Sequence, residues 1–441
     1  MNISQDVCSQ QSDPIFAQCR STFSDWTSGR QIISPGTNAG APSLPFQGWR
    51  HFKEAYAPEL VAQAVQECGR RVRRCIDPFG GSGTTALASQ FLGVHPVTIE
   101  VNPFLADLIE AKLVSYDCDS LARDLGEVIG NAQYKSGQLE AKFSYLPKTF
   151  VEPGVNERWI FDRGVAERLV AYATAIQGLA NLNHKRLFRV LLGGLLIQVS
   201  NVLISGKGRR YRRQWQTSRC DPRLVDKLFA TTARQAITDI HRFRHRAVLG
   251  YDLHRGDCRE WVKGSSELDL AVFSPPYPNS FDYTDVYNVE LWMLGYLTDS
   301  TENKSLREST ISSHVQVARN YPSQPAGSDT LRCAIERLVS VRHRLWARSL
   351  PEMVGGYFAD MATVLKQLSG ALLPCGEVWM VVGDSCYDGV HIRSAKILAE
   401  LSSSLGYEVK RSEPFRSMRV SPQLGGKPEL AESLLVLKLA S

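Results

Sequence analysis

The chain reads as an α/β protein, a mostly parallel sheet with helices on both faces and a large helical insertion. Three observations predict this. Strand-type and helix-type apolar periodicity alternate over residues 72–113 and again after 248. Two sharply punctuated turns follow apolar runs: Asp77-Pro78-Phe79-Gly80-Gly81-Ser82-Gly83-Thr84-Thr85 and Ser274-Pro275-Pro276-Tyr277. Between them, over residues 119–247, the alternation stops and only helical periodicity remains.

Residues 1–45, rich in Ser, Gln, Asn, Gly and Pro, are expected to form a flexible arm. Pro58 opens an amphipathic helix over 58–65. A strand at 72–76, the glycine turn, a helix at 84–91, a strand at 96–99 ending on Glu100 and a helix at 103–113 follow. Such a run implies right-handed crossovers in a parallel sheet. Helical periods at 165–176, 185–204 and 225–243 mark residues 119–247 as an inserted domain. Strands resume at 248–253, before Gly256-Asp257, and at 268–273. A second, polar helical insertion spans 298–353. Strands at 378–382, 407–410 and 433–439 close the sheet, with a helix at 391–405 stopped by Gly406. Pro374-Cys375 falls in a turn ahead of the 378–382 strand.

The 441 residues allow one large domain with insertions, or two to three domains, and 43% apolar content is enough for a full core. The net charge of +6 is too small for a histone-like binder, so a nucleic-acid footprint must come from local clustering. Ten scattered cysteines with no Cys-x-x-Cys pair predict a reduced, cytoplasmic setting and no metal site. The polar N-terminus is no signal peptide. The apolar stretch 187–204 contains Arg189, Gln198, Ser200 and Asn201, which suits a buried helix better than a membrane span, so no membrane partner is expected.

A glycine turn after a strand lets backbone approach a ligand closely, and the following helix start offers free N–H groups. Here Gly80, Gly81 and Gly83 follow Asp77, and the spacing is not that of a dinucleotide site. An acidic strand end suits a cationic or hydroxyl-bearing ligand. Asp77 is placed to meet an ammonium, Glu100 to accept both ribose hydroxyls, and Asp257 with Cys258 to border an adenine ring. Those three pieces together describe S-adenosylmethionine, with S-adenosylhomocysteine as its product. Thr84 and Thr85 serve as helix caps first and ligand contacts second.

Ser274-Pro275-Pro276-Tyr277 suits chemistry on the exocyclic amine of a nucleobase. That amine is a poor nucleophile because its lone pair is delocalised into the ring. Acceptors for its hydrogens, Ser274 Oγ and the Pro275 carbonyl, free the lone pair. The prolines stiffen the turn and remove N–H donors. Tyr277 is expected to stack on the base. Methyl transfer is then an in-line displacement needing positioning and electrostatics, with no metal.

The segment Lys207-Gly208-Arg209-Arg210-Tyr211-Arg212-Arg213-Gln214-Trp215 combines five cations with two aromatics, and residues 201–250 hold twelve Lys/Arg against three Asp/Glu. The rest of the chain is net acidic. Lys207, Arg209, Arg210, Tyr211, Arg212 and Arg213 are therefore the candidate DNA contacts. Asn201 and Gln214 are within the same stretch and suited to base edges. Arg416, Arg419 and Lys427 form a weaker patch. A duplex substrate would require the target base to flip out.

In these motifs the chain resembles the amino-group DNA methyltransferases, which carry Asp-Pro-Phe-x-Gly-x-Gly-Thr-Thr and (Ser/Asp/Asn)-Pro-Pro-Tyr. The resemblance covers residues 49–113 and 248–441. It implies a Rossmann-like class I methyltransferase sheet, with a split S-adenosylmethionine-binding catalytic domain over 46–118 and 248–441; the 119–247 insertion, which holds the basic segment, is the candidate DNA-binding and target-recognition region. It implies that Phe52, Lys53 and Pro58 line the methionine end of the cofactor, that Phe79 lies near the sulfur, and that residues 279–283 border the flipped base. The segment 379–384 resembles the fifth strand and its loop. The serine variant is typical of N4-cytosine enzymes, so cytosine N4 in double-stranded DNA is the expected target. N6-adenine methylation, RNA amino-methylation and a catalytically idle nucleic-acid binder are the alternatives. A cognate restriction nuclease or another defence subunit is a compatible partner.

Overall fold

The computed structural model describes residues 21–441 apart from 29, 31, 33–35, 37–42, 51–54, 136, 138, 141–143, 206–207, 248, 419–429 and 441. Phe52, Lys53, Lys207, Arg419 and Lys427 lie outside the described residues, and so does the side chain of Arg416.

Helix α1 is Phe23–Thr27 and α2 is Pro58–Glu67. Strand β1 (Arg74–Asp77), α3 (Thr84–Phe91), β2 (His95–Glu100) and α4 (Pro103–Leu113) follow. The first insertion contributes α5 (Cys118–Asn131), α6 (Arg163–Gly178), α7 (Leu182–Leu195), the hairpin strands β3 (Val202–Ser205) and β4 (Gly208–Tyr211), and α8 (Arg223–Arg242). Then come β5 (Asp252–Arg255), α9 (Cys258–Trp261), β6 (Leu268–Phe273), α10 (Tyr283–Val286) and α11 (Asn288–Met293). The second insertion adds α12 (Ser300–Glu308) and α13 (Asp329–Ser340). The chain continues through α14 (Leu350–Ala371), β7 (Leu372–Gly383), β8 (Ser385–Tyr387), β9 (Val390–Ile392), α15 (Ser394–Ser403), β10 (Tyr407–Met418) and β11 (Leu430–Leu439).

Seven strands form one sheet in the order β10-β11-β7-β6-β1-β2-β5. The pairs from β7 to β5 are parallel, and only β11 runs against its neighbours. This is the mostly parallel sheet with helices on both faces that the sequence predicts. Alternation along the buried strands splits the core into two layers. Leu270, Val272, Trp379 and Val381 face one layer, together with α2 to α8. Ala271, Phe273, Val378, Met380 and Val382 face the other, against α13, α14 and α15.

Several expectations need correction. Part of the supposed flexible arm is packed: Thr22 caps α1 in a reciprocal capping box, and Trp26, fully buried, stacks on Phe91 at 4.7 Å. The first insertion is not a separate helical body. Its helices share a core with the sheet, because Leu187, Leu191 and Phe229 join the same buried cluster as Phe104 and Trp379. The helix expected over 185–204 ends at Leu195 and gives way to the β3–β4 hairpin. Residues 390–392 form β9, so the following helix starts only at Ser394. The 22-residue α14, absent from the sequence reading, is buried along most of its length, which hides its period. Pro374-Cys375 lies inside β7, as an irregularity where the register with β6 shifts and Cys375 takes φ 62°. Among the described residues no helix is long and apolar enough to cross a membrane.

Candidate active site

Strand order runs outward from β1 through β2 to β5 in one direction, and from β6 to β7 in the other. Loops leaving β1 and β6 therefore part at their carboxyl ends and leave a crevice. A cavity of about 390 Å³ lies there. Asp77, Phe79, Gly80, Gly81, Thr84, Glu100, Cys258 and the whole of Ser274-Pro275-Pro276-Tyr277 line it. Two motifs about two hundred residues apart in sequence thus share one wall-to-wall space.

The glycine turn is tightly held. Gly81 and Gly83 take φ 52° and 79°. Gly80 N–H donates to the Ile99 carbonyl at 2.9 Å, and a Cβ at Gly80 would come within 2.6 Å of Thr98 Cγ2. Gly83 forms the N-cap of α3 rather than the cavity lining. Thr85 also stays out of the lining: its hydroxyl donates to the Val272 carbonyl at 3.0 Å and meets the Tyr56 hydroxyl. Tyr56 bonds Val272 as well, at 3.2 Å, so the turn after β1 is tied to the end of β6.

The two carboxyls are buried. Asp77 Oδ1 accepts from Phe79 N–H at 2.9 Å, and Glu100 accepts from Gly81 N–H at 2.6 Å and Asn102 N–H at 2.7 Å. Burial pushes both acids up to about 7. Neither has an ion-pair partner among the described residues. This donor set fits S-adenosylmethionine, whose positive charge would relieve two desolvated carboxyls and whose ribose hydroxyls suit the acceptor capacity left on Glu100. Lys112 Nζ, also buried, donates to the Ser82 carbonyl at 2.6 Å and to Gln47 Oε1 at 3.1 Å, and burial lowers its pKa to about 7.

Asp257 departs from its expected place. It caps α9, accepting from Arg259 N–H at 2.8 Å, and pairs with the Arg259 guanidinium at 2.5 Å; it does not line the cavity. Arg259 in turn binds Asp360 at 3.0 Å, and Asp360 accepts from Ser312 N–H at 2.8 Å. Asp257 therefore anchors the segment 309–314, which forms the far wall of the cavity.

At the chemical end, Ser274 Oγ donates to the Val381 carbonyl at 3.0 Å, and the Tyr277 hydroxyl donates to Glu432 at 2.9 Å. With its proton so directed, Ser274 Oγ keeps lone pairs for a donor. Asn279, Phe281 and Tyr283 line the cavity, as do Ser309, Thr310, Ile311, Ser313 and His314 of the second insertion. The sequence reading missed this second group, together with Tyr56, Lys112 and Glu432. Lys112 in an apolar helix and Glu432 in an apolar strand were visible signals. His314 offered none.

The basic hairpin sits beside this site, Arg209 reaching Asp285 at 3.7 Å just past Thr284 of the lining. Arg210 and Arg213 are exposed. Tyr211 stacks on Trp215 at 4.7 Å. Arg212 is diverted inward, donating to the Ser200 and Ile197 carbonyls at 2.9 and 2.8 Å. Asn201 is buried, its amide bonded to Asp162 at 3.0 Å.

No family model matches the chain. Among curated proteins, the Type II methyltransferase M.BsoBI of Geobacillus stearothermophilus is 24% identical over 93% of this chain and 88% of its own length. The Type II methyltransferase M.AvaI of Nostoc sp. is 24% identical over 87% and 82%. The Type II methyltransferase M.MjaII of Methanocaldococcus jannaschii is 29% identical over 21% of this chain and 17% of its own length. Among solved structures, the rRNA methyltransferase aviRa from Streptomyces viridochromogenes covers 87% of this chain and 85% of its own, with 11% identity and a TM-score of 0.27. Over most of its length, this chain is similar to two Type II methyltransferases, M.BsoBI and M.AvaI.

Proposed function

We propose that the chain is a site-specific DNA methyltransferase of a restriction-modification system that modifies the exocyclic amine of a flipped base, cytosine N4 first. The observation that carries this reading is the one cavity lined by both Asp77–Glu100 chemistry and Ser274–Tyr277. The similarity to the Type II methyltransferases M.BsoBI and M.AvaI supports the methyl-transfer reading; a duplex DNA substrate, a cytoplasmic setting and a cognate nuclease belong to the same proposal.

S-adenosylmethionine, when bound, supplies an electrophilic sulfonium methyl. Glu100 accepts the ribose hydroxyls, Asp77 faces the cationic end, and Phe79 and Cys258 border the ligand. Ser274 Oγ and the Pro275 carbonyl accept the amine hydrogens and free its lone pair, while Tyr277 packs on the base. Arg210 and Arg213, with Arg209 and Tyr211, hold the phosphate backbone beside the cavity.

The test is nucleoside mass spectrometry of unmodified duplex DNA incubated with the purified chain and methyl-labelled S-adenosylmethionine. N4-methylcytosine supports the reading. N6-methyladenine alone moves the target to adenine; label only in RNA moves the substrate to RNA. Cofactor binding without transfer to either makes the chain an idle nucleic-acid binder.

A further inference from the structure

The side chains of Ser274-Pro275-Pro276-Tyr277 offer the base acceptors but no donor. The Ser274 proton points to Val381, the Tyr277 proton to Glu432, and the prolines have no N–H. An amine-bearing nucleobase carries a ring-nitrogen acceptor next to its amine, N3 in cytosine and N1 in adenine. Taking such a base from water strips that nitrogen of its hydrogen bond unless the protein replaces it.

His314 is 1% exposed and lines the same cavity. Arg319 Nη2 lies 3.3 Å from its Nε2. A guanidinium only donates, so Nε2 is the acceptor and the ring proton sits on Nδ1. Nδ1 has no hydrogen-bond partner among the described residues. Burial, with the charges of Arg319 and Arg307 beside it, keeps the ring neutral by lowering its pKa, against the opposing pull of Asp282. The backbone at His314 is pinned, Tyr321 donating to its carbonyl at 2.9 Å and Ser280 N–H to the preceding Ser313 carbonyl at 2.9 Å, while Asp282 Oδ2 lies 3.9 Å from Nε2. A buried donor that is fixed and unmatched signals a missing partner.

Resting on the proposed base-amine chemistry, we infer that His314 Nδ1–H reads the ring-nitrogen acceptor beside the target amine. It fixes the base in register with Ser274 and rejects bases lacking that acceptor. The second insertion is thereby part of the base pocket.

The test uses the full chain, its methylated position having been mapped on duplex DNA. Rates and KM for DNA are compared for wild type, His314→Phe and His314→Gln, on the natural duplex and on one with 3-deazacytosine, or 1-deazaadenine if the product is adenine. We expect His314→Phe to lose about tenfold or more in transfer rate with S-adenosylmethionine affinity unchanged, and His314→Gln, which still has an N–H, to recover part of it. The deaza duplex should slow wild type by a similar factor and slow His314→Phe little further. A His314→Phe enzyme with wild-type rate and KM, or losses from variant and analogue that simply multiply, would overturn the inference. If the variant fails to fold, equal wild-type rates on natural and deaza duplexes overturn it instead. A wild-type protein that methylates no nucleobase amine overturns the functional reading as well, whereas an active wild type with an indifferent His314 removes only this residue.

Discussion

Glu100 Oε2 accepts the Gly81 amide hydrogen at 2.6 Å, so the carboxylate that ends β2 clamps the turn that leaves β1. One side chain thereby shapes the glycine turn and presents its remaining lone pairs to the cavity. Glu100→Ala should weaken S-adenosylmethionine binding by about 1.5–3 kcal/mol, from the missing ribose bonds and a loosened turn. Calorimetry on the folded variant measures it; unchanged affinity would take Glu100 out of the site.

Burial holds Asp77 and Glu100 up at about 7, against ordinary values of 3.8 and 4.5. Between those limits the folded state keeps protons that the unfolded chain has released. The stability these groups contribute is therefore full below about pH 4 and lost as pH rises through 7, by roughly 3–4 kcal/mol for each group. A bound cation favours the ionised forms, so S-adenosylmethionine binding near pH 6.5 should release protons. Calorimetry in two buffers of different ionisation enthalpy reads the release, and Glu100→Gln should reduce it. Identical heats in both buffers would contradict the assignment.

Gly80 packs against Thr98 and Ile109, and an added Cβ would lie 2.6 and 2.8 Å from their side chains. Gly80→Ala should destabilise the fold by about 1–3 kcal/mol and lower cofactor affinity, because the Thr98 and Ile109 side chains must shift to admit the methyl. Urea unfolding and a binding titration check both effects. A Gly80→Ala protein with wild-type midpoint would mean that the turn yields more easily than its packing implies.

Stacking alone would make Tyr277→Phe a mild change. The Tyr277 hydroxyl, however, donates to the buried Glu432 at 2.9 Å. Removing that donor should cost about 1–3 kcal/mol of stability and slow methyl transfer, with cofactor affinity intact. Thermal unfolding with single-turnover assays separates the two; full stability and rate in Tyr277→Phe would show that the bond to Glu432 is idle.

The basic hairpin separates by burial into two roles. Replacing exposed Arg210 and Arg213 with Gln should weaken DNA binding at all sequences and lower the salt slope of log K by about 0.9 for each phosphate no longer neutralised. Arg212→Gln should instead destabilise the protein, since its guanidinium satisfies the Ser200 and Ile197 carbonyls. Salt-dependent binding curves decide this; an unchanged slope in the double variant would leave the hairpin without a role at the phosphates.

The sequence by itself determined the sheet class, the two motif turns and the acidic ends of β1 and β2. Each is local: alternation of apolar residues fixes strands, and Gly80–Gly83 and Pro275-Pro276 restrict the backbone wherever they occur. Strand ends were legible because Asp77 and Glu100 interrupt apolar runs abruptly. Only the tertiary structure decided who meets whom. The reversal of strand order beside β1 brings residue 77 to residue 274. Crossing ion pairs through Arg259 and Asp360 turn Asp257 from a ligand contact into a support for the 309–314 wall. Arg212 faces inward and Arg213 outward on neighbouring positions, a difference set by which carbonyls lie beneath the hairpin. His314 has no signature of its own, because its chemistry comes from Arg319, Asp282 and the cavity around it, and a one-dimensional pattern does not record neighbours in space.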